Sequence, residues 1–492
     1  MRFAVLLLLL AAAATLAKAA SQQAVQDQCF CQLKGHVDDC SCDVNTVDYF
    51  NNDKIFPRLK SLLDKDFFRY FEYNPNKKCP FFDEARQSSD KCASPSCGVQ
   101  NCPKEDLPPG LTDGGGGKPA DCDDGSPVDD TLSDQTIRDI ADWKDHDDNE
   151  TGGFCEVDGA RGDCKDCVHV DLTKNPERYT GYSGEAAHKV WRTIYQENCF
   201  RPNSVKVKAE DVFLAGTRRS SGDGKKITGE TFFVPQERLH ELCLEKRAFY
   251  RAISGLHASI TVHLSARYPK KLMKGADKPV PIQPSSLFGG GGGRKSSDDE
   301  FGPNLDLFLD RFDPDKTHGQ GPFWLKNLYF VYLLELRALL KAKPFLLKQT
   351  FYTGNADQDG DTRRAVAELL GVVTGFPNHY DESVLFAGEP QLRTEFREHF
   401  RNISRVMDCV SCDKCKLWGK LQTTGLGTAL KILVTADPSR LNLSRNEVVA
   451  LFNAFGRIST SIQQLENFRQ QLRTREEEKG TSNGKAKPKF EL

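Results

Sequence analysis

The sequence predicts a mainly α-helical protein, and two observations predict it. Apolar residues recur at three- and four-residue steps in several long segments. The clearest is Glu237–Arg267, where Leu239, Leu242, Phe249, Ile253, Leu256 and Ile260 share one face. Between such segments lie stretches rich in Gly, Pro, Ser and Asp, nearly empty of large apolar side chains. A chain of 492 residues with 38% hydrophobic content has material for a sizeable core carrying long polar insertions. The net charge of −2 gives no electrostatic case for nucleic acid as a partner.

In chain order, Met1 to Ala20 have the form of a secretory signal. Arg2 precedes the apolar run Ala4–Leu10, and Ala17, Lys18 and Ala19 supply a cleavage context. No other apolar run is long enough to span a bilayer, so the expectation is a soluble luminal or extracellular protein. Seventeen cysteines in that setting imply disulfides, and the odd number leaves at least one thiol free or paired between chains. Sequons at Asn149, Asn402 and Asn442 fit the same compartment. The chain ends Phe-Glu-Leu, without a recognisable retrieval signal.

Cys29 and Cys31 face Cys40 and Cys42 across a short stretch containing Gly35. A nested ladder, Cys29 to Cys42 and Cys31 to Cys40, predicts a stapled hairpin. Val44–Tyr73 carries Phe50, Ile55, Leu59, Leu62, Leu63, Phe67 and Phe71 at helical spacing, ended by Cys79 and Pro80. Residues 87–135 change character to a mobile surface loop, with the glycine run Gly114–Gly117. That loop nevertheless holds Cys92, Cys97, Cys102 and Cys122. Accessible cysteines suit thiol–disulfide exchange. Cys92–Cys97 and Cys97–Cys102 have equal spacing and compete for Cys97. The plainer alternative is a loop fixed by permanent bridges. Cys155 is expected to bridge Cys164 or Cys167.

Further on, a turn at Asn175–Tyr182 leads into a helix carrying Trp191. In the clearest helix Ser254 and His257 lie three apart on one face, and Gly255 beside them permits close approach of a flat ligand. The plainer reading is a core histidine. Residues 274–304 form a second linker with the glycine run Gly289–Gly293. Helical segments are predicted near Leu305–Phe312, which includes Arg311, and over Asn327–Leu347, Arg363–Val373, Gln391–Met407 and Glu447–Leu472. Asn355–Gly360 imitates a calcium loop, but Val366 stands where a bidentate Glu is required, so it reads as a turn. From Arg473 the charged tail is expected to be disordered.

The chemistry centres on Cys409, Cys412 and Cys415. Cys412 and Cys415 have the spacing of a reversible dithiol near a helix start, where unpaired N–H groups favour a thiolate. Lys414 and Lys416 add positive charge and Asp413 opposes it. A tight structural disulfide or half of a zinc site remain the alternatives at this point.

The residues that follow, Leu-Trp-Gly-Lys-Leu-Gln-Thr-Thr-Gly-Leu-Gly-Thr-Ala-Leu-Lys, resemble the endoplasmic reticulum oxidoreductins, the flavin-dependent thiol oxidases of the secretory pathway. Cys-Phe-Cys-Gln near the start, Asn-Pro-Glu-Arg-Tyr-Thr-Gly-Tyr, Ile-Ser-Gly-Leu-His-Ala-Ser-Ile and Phe-Asn-Ala-Phe-Gly-Arg-Ile-Ser-Thr-Ser are similar too. The resemblance implies a single helical domain over residues 21–472, with FAD held in a helical-bundle core. It implies Cys92 and Cys97 as an outer shuttle pair and Cys412 and Cys415 as an inner pair beside the flavin. The implied flavin contacts are Arg178, Thr180, Trp191, Ser254, His257 and Arg311; some relatives carry a further Arg where this chain has Trp324. The implied structural bridges are Cys79–Cys409 and Cys199–Cys243, and the implied inhibitory bridges Cys92–Cys122 and Cys97–Cys102. Electrons would pass from reduced protein disulfide isomerase through both pairs to FAD and dioxygen, giving hydrogen peroxide. The implied place is the endoplasmic reticulum lumen, in solution or peripheral on the luminal membrane face, and no metal is implied.

The sequence has neither a glycine-rich dinucleotide fingerprint nor a P-loop, so the FAD site would not be of Rossmann type. Two rivals stand beside the oxidase. One is a disulfide-stapled binding protein without catalysis; the other is a zinc scaffold around Cys409, Cys412 and Cys415.

Overall fold

The computed structural model describes residues 44–81, 98–112, 167–177, 190–191, 193–197, 242–270, 301–317, 319–376, 382, 385–387, 392–410, 412–435 and 441–480. The secretory signal, the expected hairpin over 29–42, most of the 87–135 loop, most of the 274–304 linker and the last residues of the tail lie outside them.

Helix α1 (Val44–Tyr49) runs through a π-helical turn, Phe50–Ile55, into α2 (Phe56–Leu63), followed by the short α3 (Asp66–Arg69). The predicted helical stretch ends there, because Tyr70–Tyr73 is strand β1. It pairs antiparallel with β2 (Val168–Asp171), Tyr70 opposite Asp171 and Tyr73 opposite Val168. Helix α4 is a single turn, Pro109–Thr112.

The bundle follows. Helix α5 (Leu244–Ala266) confirms the strongest periodicity in the sequence. After it, β3 (Tyr268–Pro269) pairs with β4 (Phe301–Gly302), and Asn304 N–H donates to Ser265 O at 2.8 Å. The chain therefore leaves and re-enters the bundle at one place, which is why an insertion is tolerated there. Helix α6 (Leu305–Phe312) starts on an Asn304 cap accepting from Leu307 N–H. Helix α7 (Gln320–Leu346) is buried on all sides and so lies at the centre. Helix α8 (Ala356–Thr374) begins on Asn355, whose side chain accepts from Gln358 N–H. The calcium-loop imitation is thus a capped helix start rather than a free turn; an Asn cap and acidic first-turn residues serve a helix N-terminus equally well.

Helix α9 (Leu392–Val406) leads through one 3₁₀ turn to the cysteine cluster and α10 (Asp413–Val434). Helix α11 (Arg445–Gly480) continues past Leu472, so residues 473–480, placed in the disordered tail by composition, are helical. Arg, Glu and Lys are good helix formers and extend a helix already nucleated by packing. Helices α5, α7, α10 and α11 pack against one another as the core, α7 and α11 each touching the other three. Glycines set the crossings: a Cβ on Gly255 would lie 2.1 Å from Asn327 O, and one on Gly425 2.4 Å from Ala454 Cβ. Tyr329 O–H donates to Asp48 Oδ1 at 2.6 Å and Arg469 pairs with the same carboxylate, tying α1 to α7 and α11.

Candidate functional site

Cys412 and Cys415 are joined in a disulfide with Cα atoms 5.1 Å apart, and both are buried, 0% and 3% exposed. Cys412 is the N-cap of α10: its Sγ accepts from Cys415 N–H at 3.3 Å and its carbonyl from Lys416 N–H at 2.8 Å. On reduction a thiolate here would meet the positive end of the helix dipole, as the spacing predicts. Just before it, Cys409 is bonded to Cys79 across 330 residues of sequence. All three cysteines of the cluster are therefore disulfide-bonded, which takes away the thiolates a zinc scaffold would need.

The base of the pair is charged and buried. Lys416 donates to Pro75 O at 2.8 Å and Lys77 O at 3.0 Å, clamping the chain that leads to Cys79. Burial lowers the Lys416 pKa, with Asp408 and Asp413 opposing. Lys420 is paired with Asp408 at 2.7 Å.

One stripe of α10 connects this pair to the segment that runs toward Arg178. Trp418 Nε1–H, three residues on from Cys415, donates to Asn175 O at 2.8 Å. Four residues further, Gln422 faces the Glu177 carboxylate at 3.5 Å. Asn175 is itself fixed by Gln100, giving and receiving bonds at 2.9 and 2.7 Å. Glu177 is bonded to Arg457 of α11, and His263 Nε2 of α5 lies 3.2 Å from Glu177 O. Burial pushes His263 down to about 3, with Arg457 adding to the shift, so it is neutral and its approach to Glu177 is no ion pair.

A second cluster gathers two of the expected flavin contacts. The half-buried Trp191 stacks on His257 with ring centroids 3.5 Å apart and planes 14° apart. Tyr195, which the sequence patterns do not single out, places its hydroxyl 3.0 Å from His257 Nδ1. Burial, with Arg311 adding to it, pushes His257 down to about 3. Ser254 is turned into the α5–α7 seam, where Asn327 Nδ2–H donates to its Oγ at 3.0 Å and Arg251 holds Asn327 Oδ1 at 2.9 Å. Gly255 beside it is filled by the Asn327 backbone, so its close approach is to a helix and not to a flat ligand. Trp324 is buried in the hydrophobic core.

Other expected participants lie outside the described residues: Cys92, Cys97, Cys122, Arg178, Thr180 and Cys199. Cys102 and Cys243 carry free thiols, so neither the Cys97–Cys102 nor the Cys199–Cys243 bridge is formed here. The Cys102 N–H is held by His169 O at 2.9 Å, and Cys243 is the N-cap of α5.

The donor set of the Trp191 cluster suits a flavin dinucleotide: an indole face, a neutral imidazole and a guanidinium for diphosphate. Arg311 and Trp191 would hold such a group.

The family described as Endoplasmic Reticulum Oxidoreductin 1 (ERO1) matches residues 54–465. The chain belongs to the ERO1 family. ERO1-like protein alpha of Bos taurus is 44% identical over 92% of this chain and 93% of its own length, and that of Homo sapiens 43% over the same shares. The Ero1-like protein of Drosophila melanogaster is 42% identical, over 92% and 93%. The solved structure of Ero1p, described as a source of disulfide bonds for oxidative protein folding, has a TM-score of 0.56 at 26% identity and covers 88% of this chain and 99% of its own. A mutant of S. cerevisiae Ero1p gives 0.53 at 28%, over the same shares. ERO1 membership makes the chain an oxidoreductase of disulfide chemistry with the helical fold of those relatives. Among the described residues no helix is long and apolar enough to cross a membrane.

Proposed function

We propose that the protein is an FAD-dependent thiol oxidase of the endoplasmic reticulum lumen, soluble or peripheral on the luminal membrane face, that reoxidises protein disulfide isomerase. Cys92 and Cys97 act as the outer pair. A reduced isomerase dithiol attacks their disulfide, gives up two electrons and two protons, and leaves oxidised. The outer dithiol then attacks the Cys412–Cys415 disulfide, which becomes the dithiol while the outer disulfide re-forms. Bound FAD would supply the two-electron chemistry that returns the Cys412–Cys415 dithiol to its disulfide, the two electrons and two protons so released ending on dioxygen as hydrogen peroxide.

The observation that carries this reading is the Cys412–Cys415 disulfide itself, buried at a helix N-terminus. A pair so enclosed is poorly placed to meet a protein partner, so a second pair relays. A helix N-terminus favours the thiolate that a redox pair forms on reduction. Residues 1–20 serve as the signal, and 21–472 as the oxidase unit.

The test is a visible spectrum and an oxygen-consumption trace of the purified chain. The expected result is a yellow protein that consumes oxygen with reduced isomerase, and whose Cys415→Ala variant keeps its colour but loses at least 100-fold in turnover, on the order expected when a redox relay is cut. A colourless, folded preparation refutes the assignment.

A further inference from the structure

Where the segment leading to Arg178 meets the bundle sits a buried charge pair with no role in the proposed electron transfer. Glu177 and Arg457 have side chains only 2% exposed each. Four parts of the molecule meet there. Arg457 comes from α11 and spends Nη1 on Ser259 O at 2.8 Å, Ser259 Oγ at 2.9 Å and Ser461 Oγ at 2.8 Å. Its Nε pairs with the Glu177 carboxylate. Helix α5 adds His263 against the Glu177 carbonyl, and α10 adds Gln422 against the carboxylate. Two residues upstream, Trp418 Nε1–H holds Asn175 O.

Three features argue for positioning over bulk stability. A buried ion pair gains little over an apolar substitute, because desolvation cancels most of its attraction; what it adds is a fixed geometry. Arg457 is held by a serine pair across α5 and α11, whose hydroxyls lie 2.8 Å apart, so its fork has little freedom. And the residue it fixes is the immediate neighbour of Arg178. Trp418 and Gln422 continue the helical stripe of Cys415, so the same helix that carries the sulfur pair carries the struts.

We infer that Glu177 and Arg457, with Trp418 on Asn175, are positioning residues: they fix Asn175–Glu177, which lead in sequence into Arg178, against the helix that carries the Cys412–Cys415 pair. The inference rests on the FAD reading above. It assigns these residues no direct contact with the flavin or the reacting sulfurs.

The experiment compares full-length wild type with Glu177→Gln, Trp418→Phe and Glu447→Gln. Glu447 is the control, since it forms another ion pair on α11, with the half-buried Lys431 at 2.7 Å, and contacts no candidate flavin residue among the described residues. Trp418→Phe removes the indole N–H and with it the five-membered ring, while leaving Glu177 and Arg457 untouched, so it covers the case in which Glu177→Gln does not fold. The readouts are bound flavin per chain, the FAD dissociation constant, the flavin absorption maximum, and the melting temperature of flavin-stripped protein. The expected result is FAD binding weakened about tenfold or more in Glu177→Gln and severalfold in Trp418→Phe, each with a displaced absorption maximum. Glu447→Gln should lose melting temperature alone. If a yellow wild type and the two variants share one affinity and one spectrum, the pair is structural and the inference fails while the oxidase reading stands. A colourless wild type defeats both.

Discussion

His257 shows how one residue's surroundings fix its chemistry. It is fully enclosed, stacked on Trp191, hydrogen-bonded by Tyr195 and repelled by the Arg311 charge. Its folded value of about 3 lies below the 6.5 of an unfolded histidine. The neutral ring therefore contributes stability that is complete above pH 6.5 and is lost as pH falls toward 3, where the unfolded chain binds the extra proton first. Labelled-histidine NMR should find the His257 ring neutral and unchanged from pH 8 to pH 5; a midpoint near 6 would contradict the burial. No spacing rule could announce the stack, because Trp191 and His257 come from separate elements. What spacing does offer is Tyr195, four residues beyond Trp191 on the same turn, the one local signal for this cluster. The conformational freedom of Gly255 suggests a ligand approach. The freedom is real, but sequence cannot say which neighbour uses it, and the neighbour is Asn327.

Among elements, the helices were legible because their apolar period is local. Strand β1 was not: Phe67 and Phe71 continue the helical spacing, and the pairing that converts Tyr70–Tyr73 to strand comes from Val168–Asp171, far along the chain. Helix crossings were equally hidden, and they permit a direct contrast between two glycines. Gly255→Ala gains helix propensity of about 1 kcal/mol, but its Cβ meets backbone, which cannot give way, and overpacking costs about 1–3 kcal/mol. The net should be a lowered melting temperature. Gly371 is exposed on α8, and a Cβ added there would meet nothing within 4 Å. Gly371→Ala should therefore gain about 0.5–1 kcal/mol. Calorimetry giving both changes the same sign would undo this account of the α5–α7 seam. The central helix α7 carries a second test. Glu335 is fully buried, its carboxyl oxygens have no hydrogen-bond partner among the described residues, and burial alone drives its pKa well above the ordinary value. Its folded form is the acid, so stability is complete below pH 4.5 and declines as pH rises toward the folded value. Glu335→Gln lacks that decline. Its melting temperature relative to wild type should climb from pH 5 to pH 8, and a flat difference would mean the carboxyl is ionised at no cost.

At the scale of the whole molecule, early and late parts of the chain are tied together. Asp48 is pinned to α11 by Arg469, Asn51 donates to Ser459 O at 3.0 Å, and Cys79 is bonded to Cys409. The inner Cys-x-x-Cys and its helix start were legible in the sequence, since both signals sit within a few residues. The Cys79–Cys409 bridge was reachable only through family resemblance, because a separation of 330 residues leaves no local mark. That bridge does two things. It removes loop entropy from the unfolded chain, which for so long a loop is worth about 2–5 kcal/mol. It also holds residues 75–79 over the start of α10, where Lys416 grips Pro75 O and Lys77 O. Lys416 directly follows Cys415, so that grip sits one residue from the inner pair. Removing the bridge with Cys79→Ala and Cys409→Ala together should therefore do more than lower the melting temperature. It should let a small reductant reach the inner disulfide, raising its rate of reduction about tenfold, an opening of roughly 1.4 kcal/mol. Timed alkylation with mass spectrometry measures that rate at a temperature where both proteins remain folded. If the double variant melts earlier yet its inner pair is reduced no faster than in wild type, the bridge is a staple only, and the shielding of the redox pair comes from α10 and its bundle neighbours.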